Sequence, residues 1–284
     1  MTARAMRPGV ALIVLAALSV ADGALARNPH CAGGIQYVVG GLRDKDKGMT
    51  EDYMRQMNKA VQQLQTCANE DPADLDALGY LGWAYAELDS NGPAGQAFQK
   101  AIDGLKAKGD PKKAEAAVNN RDSYWANKLN DGIAKINEAQ QAYPDYYKKP
   151  EDDADKTLKE EATKKYQAAT KSLVAASLLR PNHPPTLRTL GSVYAFQGDY
   201  RTAMVVFENG LKAAPGDSAL TAGLKNVRTN YANQLIDEKR FDEAVKYFQE
   251  LVKADPNNAD LWLGLASALF SRASSSQELP SRKG

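Results

Sequence analysis

The side chains able to act as nucleophiles or metal ligands are few. Two cysteines, Cys31 and Cys67, and two histidines, His30 and His183, make up the whole complement. His30, Cys31 and Cys67 give three potential zinc ligands without a fourth at helical or turn spacing. His183 stands alone in Pro181-Asn182-His183-Pro184-Pro185. No metal and no other cofactor is expected. Carboxylates cluster at Glu151-Asp152-Asp153 and Glu160-Glu161, but interleaved lysines mark a solvated face, and nothing sets one carboxyl's pKa apart from another's as acid/base work requires. The glycine pairs at 33–34 and 40–41 carry no GKS or GKT ending, and no serine sits in a G-x-S-x-G elbow. The chain therefore reads as a non-enzyme.

Formal net charge is +1, from 36 basic and 35 acidic residues mixed along 284. A nucleic-acid binder shows a clustered basic excess, so that class is set aside. The N-terminus has a targeting layout. Arg4 and Arg7 precede an apolar run from Val10 to Val20, and Ala24-Leu25-Ala26 supplies a small-x-small site. Residues 1–26 are expected to be a secretory signal peptide cut before Arg27; an uncleaved anchor is the alternative, but the run falls short of the roughly 20 apolar residues that span a bilayer. A periplasmic or secreted product follows, without membrane insertion. In such a compartment an even cysteine count favours a Cys31–Cys67 bridge, worth roughly 3–4 kcal/mol on loop-entropy grounds; two buried thiols are the alternative.

Beyond the leader, the elements are helical and they repeat. Leu78-x-x-Leu81-Gly82-x-x-Tyr85 is followed by Ala94, Phe98 and Ala101. The spacing returns at Leu187-x-x-Leu190-Gly191-x-x-Tyr194, then Ala203, Phe207, Gly210 and Pro215. Positions i, i+3, i+4 and i+7 make one apolar stripe, and the glycines and alanines admit a second helix close by. These segments resemble the tetratricopeptide repeat of about 34 residues. Weaker second-helix signatures end at prolines 72, 144, 181 and 256. The resemblance implies an all-α, right-handed superhelical solenoid of antiparallel helix pairs over 51–270, with the last step lengthened near 218–224. The stretches 113–127 and 150–162 fit the repeat poorly and read as longer, irregular helices. Residues 27–50, with the β-prone run Ile35 to Val39, are expected to be an irregular arm, and 271–284 a disordered tail.

The resemblance also implies a protein or peptide partner, held by inner-face positions of the first helices. Carried onto this chain these are Asp76, Trp83 and Glu87, then Arg188, Thr189, Ser192 and Phe196, then Asn226, Thr229, Asn230, Asn233 and Asp237. Asparagine amides can pair with an extended backbone, and Trp83 and Phe196 can anchor side chains. Leu261 to Phe270 is apolar around much of a final helix, so Trp262, Leu265 and Phe270 form a second candidate surface, for a partner or for a second copy of the chain; a native chain that continues further, or a tail folded over the helix, are the alternatives. The tyrosines at 143, 146 and 147 either rim an interface or fold back on their helices. The favoured reading is an exported binding scaffold; an envelope-assembly subunit that uses the last helix, with an inert groove, is the alternative.

Overall fold

The structure is a computed structural model that describes residues 27–144, 146 and 148–277. The expected signal peptide lies outside the described residues. Within them the chain forms eleven α-helices. They are α1 (Pro29–Asp46), α2 (Thr50–Glu70), α3 (Leu75–Glu87), α4 (Asn91–Ala107), α5 (Pro111–Ala142), α6 (Asp153–Leu179), α7 (Pro184–Phe196), α8 (Tyr200–Ala213), α9 (Ser218–Asp237), α10 (Phe241–Ala254) and α11 (Ala259–Gln277). Consecutive helices pair as hairpins, and each hairpin stacks on the next. The odd-numbered helices touch one another in chain order and so form one layer. Helix starts follow local chemistry: Asp74, Asp110, Asp152, Asp199 and Asp217 each accept a backbone N–H of the first turn.

Five apolar clusters follow one another along the stack, each shared between neighbouring hairpins. No hairpin could bury its stripe alone, which is the logic of a solenoid. Small residues set how closely the helices approach. A methyl at Gly82 would lie 2.8 Å from the Phe98 ring, and one at Gly191 would lie 2.9 Å from Phe207. Gly95 of α4 meets backbone: a methyl there would collide with the Leu178 carbonyl oxygen of α6.

Three expectations are corrected. Residues 29–46 are helical rather than an irregular arm. Cys31, Gly34, Val38 and Gly41 form a buried stripe at helical spacing, and the two glycines let α1 lie against Leu64 and Met57 of α2. A stripe half made of glycine carries almost no hydropathy signal, and the paired glycines read locally as breakers. The stretches around 113–127 and 150–162 do lie in longer helices, but the signature that ends at Pro144 is not a second helix. Each stretch continues unbroken, so α5 and α6 form one long hairpin with Gly132 pressed on Leu173. Pro144 therefore follows a first helix, not a second, and the proline ladder miscounts the units there. Residues 271–277 extend α11 instead of starting a tail; residues 278–284 lie outside the described set. The lengthening near 218–224 appears as expected, with α9 at 20 residues against 13 for α7.

The expected bridge is present. Cys31 and Cys67 join α1 to α2 with 4.9 Å between their Cα atoms, and both are fully buried. Replacing both by alanine should lower unfolding stability by about 3 kcal/mol, read by urea denaturation; an unchanged midpoint would contradict a structural role. Gly95→Ala should cost about 1–3 kcal/mol by forcing α4 and α6 apart, although alanine is the better helix former. A stabilised variant would contradict the contact.

Candidate functional site

The odd-numbered layer carries the groove candidates, and its two halves differ. In the first half the polar groups are spent on one another. Glu87, at the end of α3, has a side chain only 4% exposed. Lys45 of α1 donates to its carboxylate at 2.5 Å and Tyr53 of α2 at 2.5 Å. Tyr124 of α5 donates to the other oxygen, and Trp83 Nε1 donates to the Tyr124 hydroxyl at 2.9 Å. Four helices thus meet on one carboxylate. Burial alone pushes the Glu87 carboxyl up, but hydrogen bonds from Lys45, Tyr124 and Tyr53, with the Lys45 charge, outweigh it and hold the group below its ordinary value. Burial and the neighbouring carboxylate raise both phenols, so they stay protonated donors. Asp76 pairs with Arg27 at 3.3 Å and Lys113 at 4.0 Å. Trp83, Glu87 and Asp76 are therefore internal fasteners more than free groove positions.

In the second half the candidates are open. Asn226, Asn230 and Asn233 of α9 lie on one face, i, i+4 and i+7, with Asp237 continuing it. All four are exposed, and none has a hydrogen-bond or ion-pair partner among the described residues. On the adjoining α7, Ser192 is exposed and Arg188 half-buried, neither of them paired among the described residues. Thr189 bonds back to the Pro185 carbonyl, and Thr229 to that of Lys225. Phe196 is 47% exposed and stacks on the buried Tyr166, centroids 6.0 Å apart, while Tyr146 packs edge-on against the same Tyr166 ring. Tyr143 is buried, so the two described tyrosines of the α5–α6 loop fold back onto their helices. Tyr147 lies outside the described residues.

The α6–α7 turn is clamped rather than available. His183 accepts from the Thr186 N–H to cap α7, and its ring meets Trp125 of α5 edge-on at 4.6 Å. Burial, and then the Arg180 charge, lower the His183 pKa. Arg180 lies over Trp125 at 4.5 Å and pairs with Asp122. Cys31, Cys67 and Asp74 are the one clustered donor set that could hold a metal among the described residues, and both sulfurs are consumed in the disulfide. On α11, Trp262 and Phe270 are exposed as expected. Leu265 is not: it is buried with Leu261 and Ala268 against α9 and α10, which removes it from the candidate surface. Nothing in the sequence marks Lys45, Tyr53 and Tyr124 as partners of Glu87, because they come from three other helices 34 to 42 residues away along the chain.

The Glu87 hub carries a pH signature. Its folded pKa lies below the unfolded value, near 4.5, so its contribution to stability is present above pH 4.5 and is lost as pH falls through the folded value. Glu87→Ala should cost about 2–4 kcal/mol at neutral pH and flatten the acid limb of the stability–pH curve. An unaltered acid limb would contradict the arrangement.

Residues 235–274, from the end of α9 through most of α11, match the tetratricopeptide repeat family. The match falls on α10 and α11, not on the two segments that carry the repeat pattern most fully. No curated protein matches the chain. Among solved structures, a thermophilic TPR protein of Thermus thermophilus is similar at 20% identity, covering 84% of this chain and 99% of that one, with a TM-score of 0.31. A tetratricopeptide repeat protein from Parabacteroides merdae is similar at 15% identity, covering 87% and 76%, with a TM-score of 0.27. Five helix hairpins followed by α11, with no strand among the described residues, and the family match over residues 235–274 make the chain a tetratricopeptide-like helical repeat protein.

Proposed function

We propose that the protein is an exported scaffold that holds an extended segment of a protein partner along the α7–α9 face, with no catalytic step of its own. The observation that carries this reading is the row of unpaired, exposed amides at Asn226, Asn230 and Asn233 beside Arg188, Ser192 and Phe196. A primary amide offers both donor and acceptor, so such a row matches the alternating N–H and C=O groups of an extended backbone without demanding a sequence. Phe196, braced by Tyr166, supplies an apolar anchor at one edge. Export is supported by the layout of residues 1–26 and by the disulfide, a bond that persists in oxidising compartments. No helix among the described residues is long and apolar enough to cross a membrane.

A second reading, an assembly subunit that contacts its partner through α11, is supported by the exposure of Trp262 and Phe270. The two separate by experiment. Peptides selected from a randomised display library on the wild-type chain should bind at least tenfold more weakly to the triple variant Asn226→Ala, Asn230→Ala, Asn233→Ala, at about 1 kcal/mol per lost amide contact. Unfolding stability should barely move, since the amides are exposed. Equal affinity for both proteins would contradict the α7–α9 site. Recovery of the chain in the cytoplasm with residues 1–26 intact would contradict export.

A further inference from the structure

The apolar face of α11 can be judged against an internal standard, because α9 is the same element one repeat earlier. Gly223 of α9 seats on the Phe207 ring of α8, and Gly264 of α11 seats on the Phe248 ring of α10. In that register Leu220, Leu224 and Val227 correspond to Leu261, Leu265 and Ala268, and all six are buried. The positions that matter are on the other side. Trp262, Leu263, Ala266 and Phe270 correspond to Thr221, Ala222, Lys225 and Thr229. In α9, which has neighbours before and after it in the stack, the first three of these are exposed and Thr229 is half-buried. Stacking a further helix hairpin therefore does not require apolar residues there. In α11 they are nonetheless a tryptophan, a leucine, an alanine and a phenylalanine, with Trp262 51%, Leu263 72% and Phe270 74% exposed. Something other than the next repeat explains them.

We propose that this face pairs with the same face of a second copy of the chain, α11 against α11, antiparallel about a two-fold axis at Ala266. Three features of the helix fit that occupant. First, Trp262, Ala266 and Phe270 lie on one i, i+4, i+8 row, the row whose ridges interdigitate in the commonest helix–helix packing. Its small residue is at the midpoint and its rings are at the ends, so an antiparallel copy sets alanine against alanine and Trp262 of one chain against Phe270 of the other. A surface of this kind is complementary to itself, as an isologous contact must be. Second, the only charges on α11 are Asp260 and Arg272, equidistant from Ala266 and opposite in sign; both lie about a third of a turn off the row, and Arg272 also pairs with Asp242 of α10 at 3.6 Å, so they act on orientation only at long range. Antiparallel pairing brings unlike ends together, and parallel pairing brings like ends together. Third, Trp262 Nε1 donates to the Pro256 carbonyl at 2.8 Å, which holds the indole across the face before any partner arrives and lowers the ordering cost of association.

The contact is modest in size. Trp262, Leu263, Leu269 and Phe270 leave roughly 450 Å² exposed per copy, taking about 150–250 Å² for a whole large apolar side chain. The dimer is therefore a weak one that depends on concentration. It is independent of the α7–α9 face, so either proposal can fail without the other.

The test is sedimentation equilibrium of the full chain, purified as the cell processes it, over a wide concentration range. A reversible monomer–dimer equilibrium is expected. Trp262→Glu and Phe270→Glu should each weaken it at least tenfold with the circular dichroism of the fold retained, while Thr221→Glu, the matching position on α9, should leave it unchanged. Ala266→Cys should give a disulfide-linked dimer under mild oxidation, because the native cysteine pair is buried and out of reach. A monomer at every concentration overturns the proposal. So does a dimer indifferent to both glutamates, or a monomer that binds lipid vesicles through Trp262 instead.

Discussion

The structure depends on one steric constraint, the contact of a helix backbone with the ring of a neighbouring phenylalanine. Gly82 meets Phe98 and Gly191 meets Phe207 within a hairpin, while Gly223 meets Phe207 and Gly264 meets Phe248 from the next unit, so the same kind of ring takes a glycine on either side. Where a glycine faces the ring, the two helices come close enough for the alanines beside them, such as Ala94, Ala203 and Ala244, to be fully buried. An isolated hairpin would leave much of this surface wet. Stability is accordingly distributed among nearest neighbours, and the disulfide adds a covalent hold on the first hairpin, whose glycine-rich α1 is the poorest helix former of the set.

The constraint also explains what the sequence showed and what it hid. The units around Leu78 to Ala101 and Leu187 to Pro215 were legible because leucine, glycine, tyrosine, alanine and phenylalanine recur at fixed offsets, and α3–α4 and α7–α8 form there. The disulfide was legible from cysteine count and compartment. The long α5–α6 hairpin was not, because its prolines have the spacing of second-helix ends while only one of them follows a second helix. The first helix was hidden because its buried stripe is cysteine, glycine, valine and glycine, and a hydropathy pattern scarcely registers glycine. Of the candidate site, the sequence places polar residues on α3, α7 and α9, but it does not say which of them find partners. Glu87 and Asn230 are alike in polarity and placement; what separates them is whether Lys45, Tyr53 and Tyr124 converge on the side chain, and those partners come from other helices far away in sequence.

A division of labour along the odd-numbered layer results. In the first half, buried and half-buried polar groups satisfy one another and fasten α1, α2, α3 and α5 into one body, a use of polar contacts that rigidifies while leaving little for a ligand. In the second half, α7 and α9 present polar groups with no partner, on helices whose other sides are fixed by Phe207 and Phe248. A surface that is rigid beneath and unsatisfied above loses little entropy when it binds. α11 adds an apolar face at positions where α9 is polar, so the two ends of the second half carry different chemistry.

The odd-numbered layer has its polar groups paired at α3 and unpaired on α7 and α9 among the described residues. Hydrogen–deuterium exchange of the chain with and without a saturating selected peptide tests it most directly. Slowed exchange is expected in residues 184–196 and 218–237, with residues 75–87 unchanged. Protection of residues 75–87, with α7 and α9 unaffected, would contradict it.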